Sequence, residues 1–213
     1  MLHIFLAGGP VMYPLLICSI LALAVIIERF FFYARYRGDS ESLMREIRAA
    51  LAAGRPLEAV QVARRYQGPV AGLATVALAQ YGKPRWFVSD QLEKAGQEEI
   101  AILERGIPLL DTMVTISPLL GLLGTVTGII RTFNVLGALH GISEPTAMSV
   151  GIAEALVTTA FGLIIAIPSM AASAYFSYVV DRHVLEMNRR SGELLALVAS
   201  EAAGLEAGGR DAH

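Results

Sequence analysis

Cysteine is nearly absent: Cys18 is the only one in 213 residues. A lone thiol excludes an intrachain disulfide and any cysteine metal cluster. Because it lies within an apolar run, Cys18 reads as a buried, inert group. The histidines His3, His140, His183 and His213 are too scattered along the chain to suggest a metal site. Charge is also scarce. Only 17% of residues are Asp, Glu, Lys or Arg, against about a quarter in a soluble domain. The net charge of -2 gives bulk electrostatics no means of holding nucleic acid. No nucleophile–base constellation is present. The stretch Gly121-Leu122-Leu123-Gly124 lies in an apolar run with no following lysine, so it is not a phosphate loop. These absences point away from an enzyme, a cofactor and a bound metal.

What the chain does have is hydrophobicity: 54% of its residues are hydrophobic and the mean hydropathy is +0.55. The apolar residues fall into three blocks with the charges between them. That is the distribution a bilayer requires, since crossing roughly 30 Å of hydrocarbon takes about 20 apolar residues. The predicted fold is an all-α membrane protein with three transmembrane helices, at 11–33, 107–139 and 150–180, and long helical extensions on the cytoplasmic side. Ala22-Leu23-Ala24 resembles a signal-cleavage site. However, no Lys or Arg precedes Arg29 and the apolar run continues to Tyr33, so the first block is expected to be a retained helix. Pro10 suits its start. Phe30, Phe31, Phe32 and Tyr33, followed by Arg35 and Arg37, form an interfacial aromatic belt with basic anchors.

Residues 34–106 read as a polar, helical region. Ser40 to Ala53 is amphipathic and closed by Gly54 and Pro56. Further helical stretches cover about 57–66 and 70–81, and another runs from Ser89 onward. The segment 140–149 is a short connector, and 181–213 a charged helical tail. Of the 17 Lys and Arg residues, 11 lie in 34–106 and 4 in the tail. The other two are Arg29 and Arg131, while residues 1–10 and 140–149 carry none. The positive-inside rule therefore places 34–106 and the tail in the cytoplasm, and the N-terminus and connector in the periplasm.

Two stripes mark the second and third spans. Ser117, Gly121, Thr125, Gly128 and Thr132 recur at intervals of 4, 4, 3 and 4, and Gly162, Ala166, Ser169 and Ser173 at 4, 3 and 4. Each set lies on one helical face. Gly124 and Gly128 form a GxxxG pair that permits close backbone approach in lipid. Packing alone explains such stripes, but Glu154 lies one turn into the third span. A carboxylate within a span is costly and by default marks a functional site. The counter-readings are solvation at the headgroups or capping of the helix start. Thr158 shares its face, whereas Thr159 is rotated about 140° away. Arg131 can pair with Glu154 or snorkel to the headgroups. Glu154 is the only acid well inside a span, so a complete proton relay would need an acid from elsewhere.

The run from Ser117 and Pro118 through Gly121, Gly124, Thr125 and Gly128 to Phe133 resembles the second-helix signature of the MotA/TolQ/ExbB proton-channel family. The run Gly151, Glu154, Thr159, Gly162, Pro168 is similar to its third-helix signature. Gly8-Gly9-Pro10-Val11-Met12-Tyr13-Pro14 and Ile27-Glu28-Arg29 resemble ExbB/TolQ members. Three spans, where MotA has four, favour that branch. The resemblance implies a homo-pentameric ring in the bacterial inner membrane, with the second and third helices lining a pore. An ExbD/TolR-like single-span partner within that pore would supply a protonated aspartate, and proton flow would drive a TonB/TolA-like protein. Carried over by position, Thr125 and Thr159 are pore hydroxyls and Glu154 the third-helix acid. Thr158 is added from helical geometry, and Gly121, Gly124, Gly128, Gly162 and Ala166 are assigned to helix packing. The alternatives are a non-conducting oligomeric scaffold, or a stator-like subunit for gliding or secretion.

Overall fold

The computed structural model describes residues 9–36, 38–138 and 145–210. Most of the N-terminal segment, residues 139–144 of the connector and the last three residues of the tail lie outside them. Among the described residues all regular structure is helical: α1 (Met12–Arg35), α2 (Ser40–Ala52), α3 (Pro56–Arg65), α4 (Pro69–Ala79), α5 (Arg85–Glu104), α6 (Ile107–Ala138) and α7 (Pro145–Arg210). Three of these, α1, α6 and α7, are long and apolar enough to cross a membrane. Contacts divide the chain into two compact units. The first comprises the chain up to Phe30 with Gly106–Phe176, and the second Phe31–Arg105 with the chain from Ser177.

In the first unit, α1 is opened by a turn. The Met12 amide donates to the carbonyl of Gly9, at 3.2 Å, and the Tyr13 amide to that of Pro10, at 3.3 Å. Gly9 adopts a φ of 67°, in the left-handed region that suits a residue without Cβ. The helix therefore starts two residues after Pro10, and Pro14 falls in its first turn, where a missing N–H is tolerated. Met12, Leu15, Cys18 and Ala22 form its buried face. Ile17, Ile20, Leu23, Ile27 and Phe30 remain exposed, a surface that costs nothing in lipid and much in water.

The second unit is a helical cluster. α2 is capped by Asp39, whose carboxylate accepts from the Ser42 amide at 3.0 Å. Its apolar face buries Leu43, Met44, Ile47 and Leu51. α3 contributes Ala59 and Ala63, α4 Val70, Leu73, Ala74, Ala77 and Leu78, and α5 Val88, Leu92 and Leu103. Met187, Leu194 and Val198 of α7 are buried in the same unit. Polar ties join these elements: Ser40 donates to Glu186 at 2.8 Å, Arg48 pairs with Glu193 at 2.7 Å, and the buried Tyr33 hydroxyl donates to the Leu103 carbonyl at 2.6 Å. Glu99 is half-buried, with its carboxylate against Gly72 and accepting from the Tyr36 hydroxyl at 2.9 Å. Burial pushes its carboxyl above the ordinary range, and the Tyr36 bond pulls partly the other way. The apolar span and the charged tail expected on either side of Val180 are one continuous helix.

Candidate functional site

The site is assembled on α6 and α7, within the first unit. α6 buries Ser117, Gly121, Gly124, Gly128 and Thr132, while α7 buries Gly151, Ala155, Thr158, Gly162, Ala166, Ser169 and Ser173. Both sets recur every three or four residues, so each forms one stripe along its helix. The stripes meet at the distances of backbone contact. A Cβ added to Gly121 would lie 3.0 Å from the Cα of Thr159, and one on Gly128 would lie 3.0 Å from the Gly151 carbonyl oxygen. On Gly162 it would reach within 2.5 Å of the Ser117 carbonyl oxygen, and on Gly124 within 2.5 Å of the Thr158 Cβ. In lipid no hydrophobic force presses helices together, so close van der Waals contact between small residues is the main term holding such a pair.

Polar groups run along this seam. At one end, Ser173 donates to the Asp111 carboxylate at 2.5 Å. Next comes Ser117, with 0% exposure and a hydroxyl that has no partner among the described residues. Pro118 follows it and cannot donate to the carbonyl four residues back. The Thr159 hydroxyl then donates across the pair to the Gly121 carbonyl, at 3.1 Å. Thr132 donates to the carbonyl of Gly128, at 3.0 Å. At the far end, Arg131 lies 3.2 Å from both carboxylate oxygens of Glu154.

The three threonines differ. Thr158 is fully buried, and its hydroxyl is occupied by its own helix, at 2.9 Å from the Ala155 carbonyl and 3.2 Å from that of Glu154. Thr125 and Thr159 sit at the seam's flanks and remain partly exposed. Thr125 donates to the Leu122 carbonyl at 2.6 Å. Its place on the contacting face is taken by Gly124, whose missing side chain makes room for Thr158. Glu154 and Thr159 do not meet: one pairs with Arg131 and the other with Gly121. Asp111 is a site residue that spacing does not single out. It lies one turn inside α6, and only its bond to a serine 62 residues away marks it.

These features define a polytopic helical membrane protein whose long helices pair through a glycine seam carrying hydroxyls and acids. The sequence profile of the MotA/TolQ/ExbB proton channel family matches residues 66–189. An ExbB-like biopolymer transport protein of Synechocystis sp. is 38% identical over 202 residues, covering 92% of this chain and 75% of the relative. A Vibrio cholerae biopolymer transport protein, exbB1, is 31% identical over 183 residues, covering 84% and 80%. The Tol-Pal system protein TolQ of Haemophilus influenzae is 46% identical over 80 residues, covering 37% and 34%. The chain belongs to the MotA/TolQ/ExbB proton channel family, as an ExbB/TolQ-like member.

Proposed function

We propose that this chain is the ring-forming subunit of an inner-membrane motor that conducts protons. Five copies enclose a pore walled by α6 and α7, and an ExbD/TolR-like single-span partner inside it carries the titrating aspartate. Proton entry drives a TonB/TolA-like protein in the envelope. The N-terminus lies in the periplasm, and residues 34–106 and the C-terminal tail lie in the cytoplasm. Thr125 and Thr159 line the proton route, with Glu154 as the third-helix acid. The observation that carries this reading is the pair of partly exposed hydroxyls flanking a seam whose glycines, serines and other threonines are buried, in a chain of a proton-channel family. A hydroxyl both accepts and donates, so it can pass a proton while remaining neutral in lipid. The glycine contacts favour a second reading, a non-conducting scaffold in which the stripes serve assembly only.

Two variants separate the readings. Thr125→Ala and Thr159→Val are expected to lose nearly all proton entry, followed with a ratiometric pH indicator in cells that co-express a single-span partner. Their oligomer on native gels should be unchanged. Full proton entry in both variants would refute the assigned route and leave the scaffold.

A further inference from the structure

Arg131 of α6 and Glu154 of α7 form an ion pair between the two helices. The Arg131 Nη1 lies 3.2 Å from each oxygen of the Glu154 carboxylate. The two ends of the pair sit in different surroundings: the Glu154 side chain is 12% exposed and that of Arg131 60%. An exposed ion pair contributes little. A carboxylate withdrawn to this degree loses much of its hydration, and it is tolerated only where a cation or donors replace that water. The Arg131 guanidinium supplies that cation.

A third segment closes the site. Gly9, in the turn that opens α1, has a φ of 67°. A Cβ there would overlap the Glu154 Oε1 and lie 3.0 Å from its Cδ. The carboxylate thus rests against the backbone of Gly9, at a position where both the conformation and the space require glycine. The turn before α1, the C-terminal part of α6 and the first turns of α7 converge on one carboxylate.

We infer that Arg131 is a positioning residue. It holds the Glu154 carboxylate in the seat against Gly9, which fixes where that acid points and ties the turn before α1 to the α6–α7 pair. This deepens the proposed proton-route role of Glu154 and rests on it.

The test uses the full chain co-expressed with a single-span partner, with proton entry as the readout and oligomer on native gels as the control. Arg131→Gln is expected to lower proton entry at least tenfold with the oligomer intact, and Arg131→Lys, which keeps the cation, to retain half or more. If Arg131 acts through Glu154, the double variant R131Q/E154Q loses no more than E154Q alone. Gly9→Ala leaves both charges in place but fills the seat, so it should reproduce the loss seen in R131Q. It also decides the matter should R131Q fail to reach the membrane. Wild-type proton entry in R131Q or in G9A overturns the inference, as do losses that multiply in the double variant. A separate outcome, normal proton entry in the Thr125 and Thr159 variants, counts against the route itself and leaves the Arg131–Glu154 tie standing.

Discussion

Two glycines of α7 make opposite demands. At Gly162 an added methyl would lie 2.5 Å from the Ser117 carbonyl oxygen and 3.3 Å from the Gly121 Cα. Both are backbone atoms, so neither can rotate away and the helices must separate. Gly162→Ala should therefore cost about 1–3 kcal/mol, typical of overpacking a close contact. At Gly192 nothing lies within 4 Å of an added Cβ, and the residue stands inside a helix. There Gly192→Ala should be neutral or stabilising by up to about 1 kcal/mol, the difference in helix propensity. Thermal unfolding of the solubilised protein measures both, and equal destabilisation would show that the seam is looser than its distances state. Thr158 extends the argument. Its side chain is wholly buried, unlike those of Thr125 and Thr159, so Thr158→Val should leave proton entry intact where Thr159→Val abolishes it. The sequence carries the small-residue stripes plainly, but not which member of each faces the partner helix. Thr125 and Gly124 are neighbours, and the choice between them follows from the bulk of Thr158, which sits 34 residues away in sequence.

At the scale of the helices, the three-span, all-α pattern and the short elements between Ser40 and Glu104 were legible because each leaves a local mark. An amphipathic period or a Gly-Pro break needs no knowledge of the partner. The end of the third span illustrates the limit. Charges begin at Asp181, but Asp and Arg do not interrupt a helix, so α7 continues through them. Long-range polar contacts were equally hidden, and the Tyr36–Glu99 bond joins residues 63 apart. The burial of Glu99 has a measurable consequence, which the Tyr36 bond only partly offsets. The folded protein holds the Glu99 proton to higher pH than the ordinary carboxylate value of 4.5. Its contribution to stability is therefore fully present below that value and is lost as pH rises through the raised one. Glu99→Gln should flatten the decline in thermal stability on raising the pH from about 4.5. An unchanged slope would assign that decline to other carboxylates.

For the molecule as a whole, the closeness of the α6–α7 seam constrains where protons can pass. Backbone atoms meet across it, with a Cβ on Gly121 or Gly128 already 3.0 Å from the facing chain. A water in the liquid occupies about 30 Å³ and needs two to four polar partners, and the seam offers no such space beside its glycines. On the proposed reading, conduction does not run inside one protomer along that line, and the route follows the flank where Thr125 and Thr159 remain partly exposed. In a lone protomer that flank would face lipid, and a hydroxyl against hydrocarbon has no neighbour to pass a proton to. On the proposed reading another chain completes the wall. Nothing in the sequence announces how many copies do this, because an apolar helix face written for lipid and one written for a neighbouring protomer have the same composition. Native mass spectrometry in a mild detergent is expected to show a closed oligomer, of five copies if the family pattern holds, and proton entry should require that oligomer together with the single-span partner. A monomeric form that conducts in vesicles with no partner present would place the route inside the protomer and contradict the closed seam.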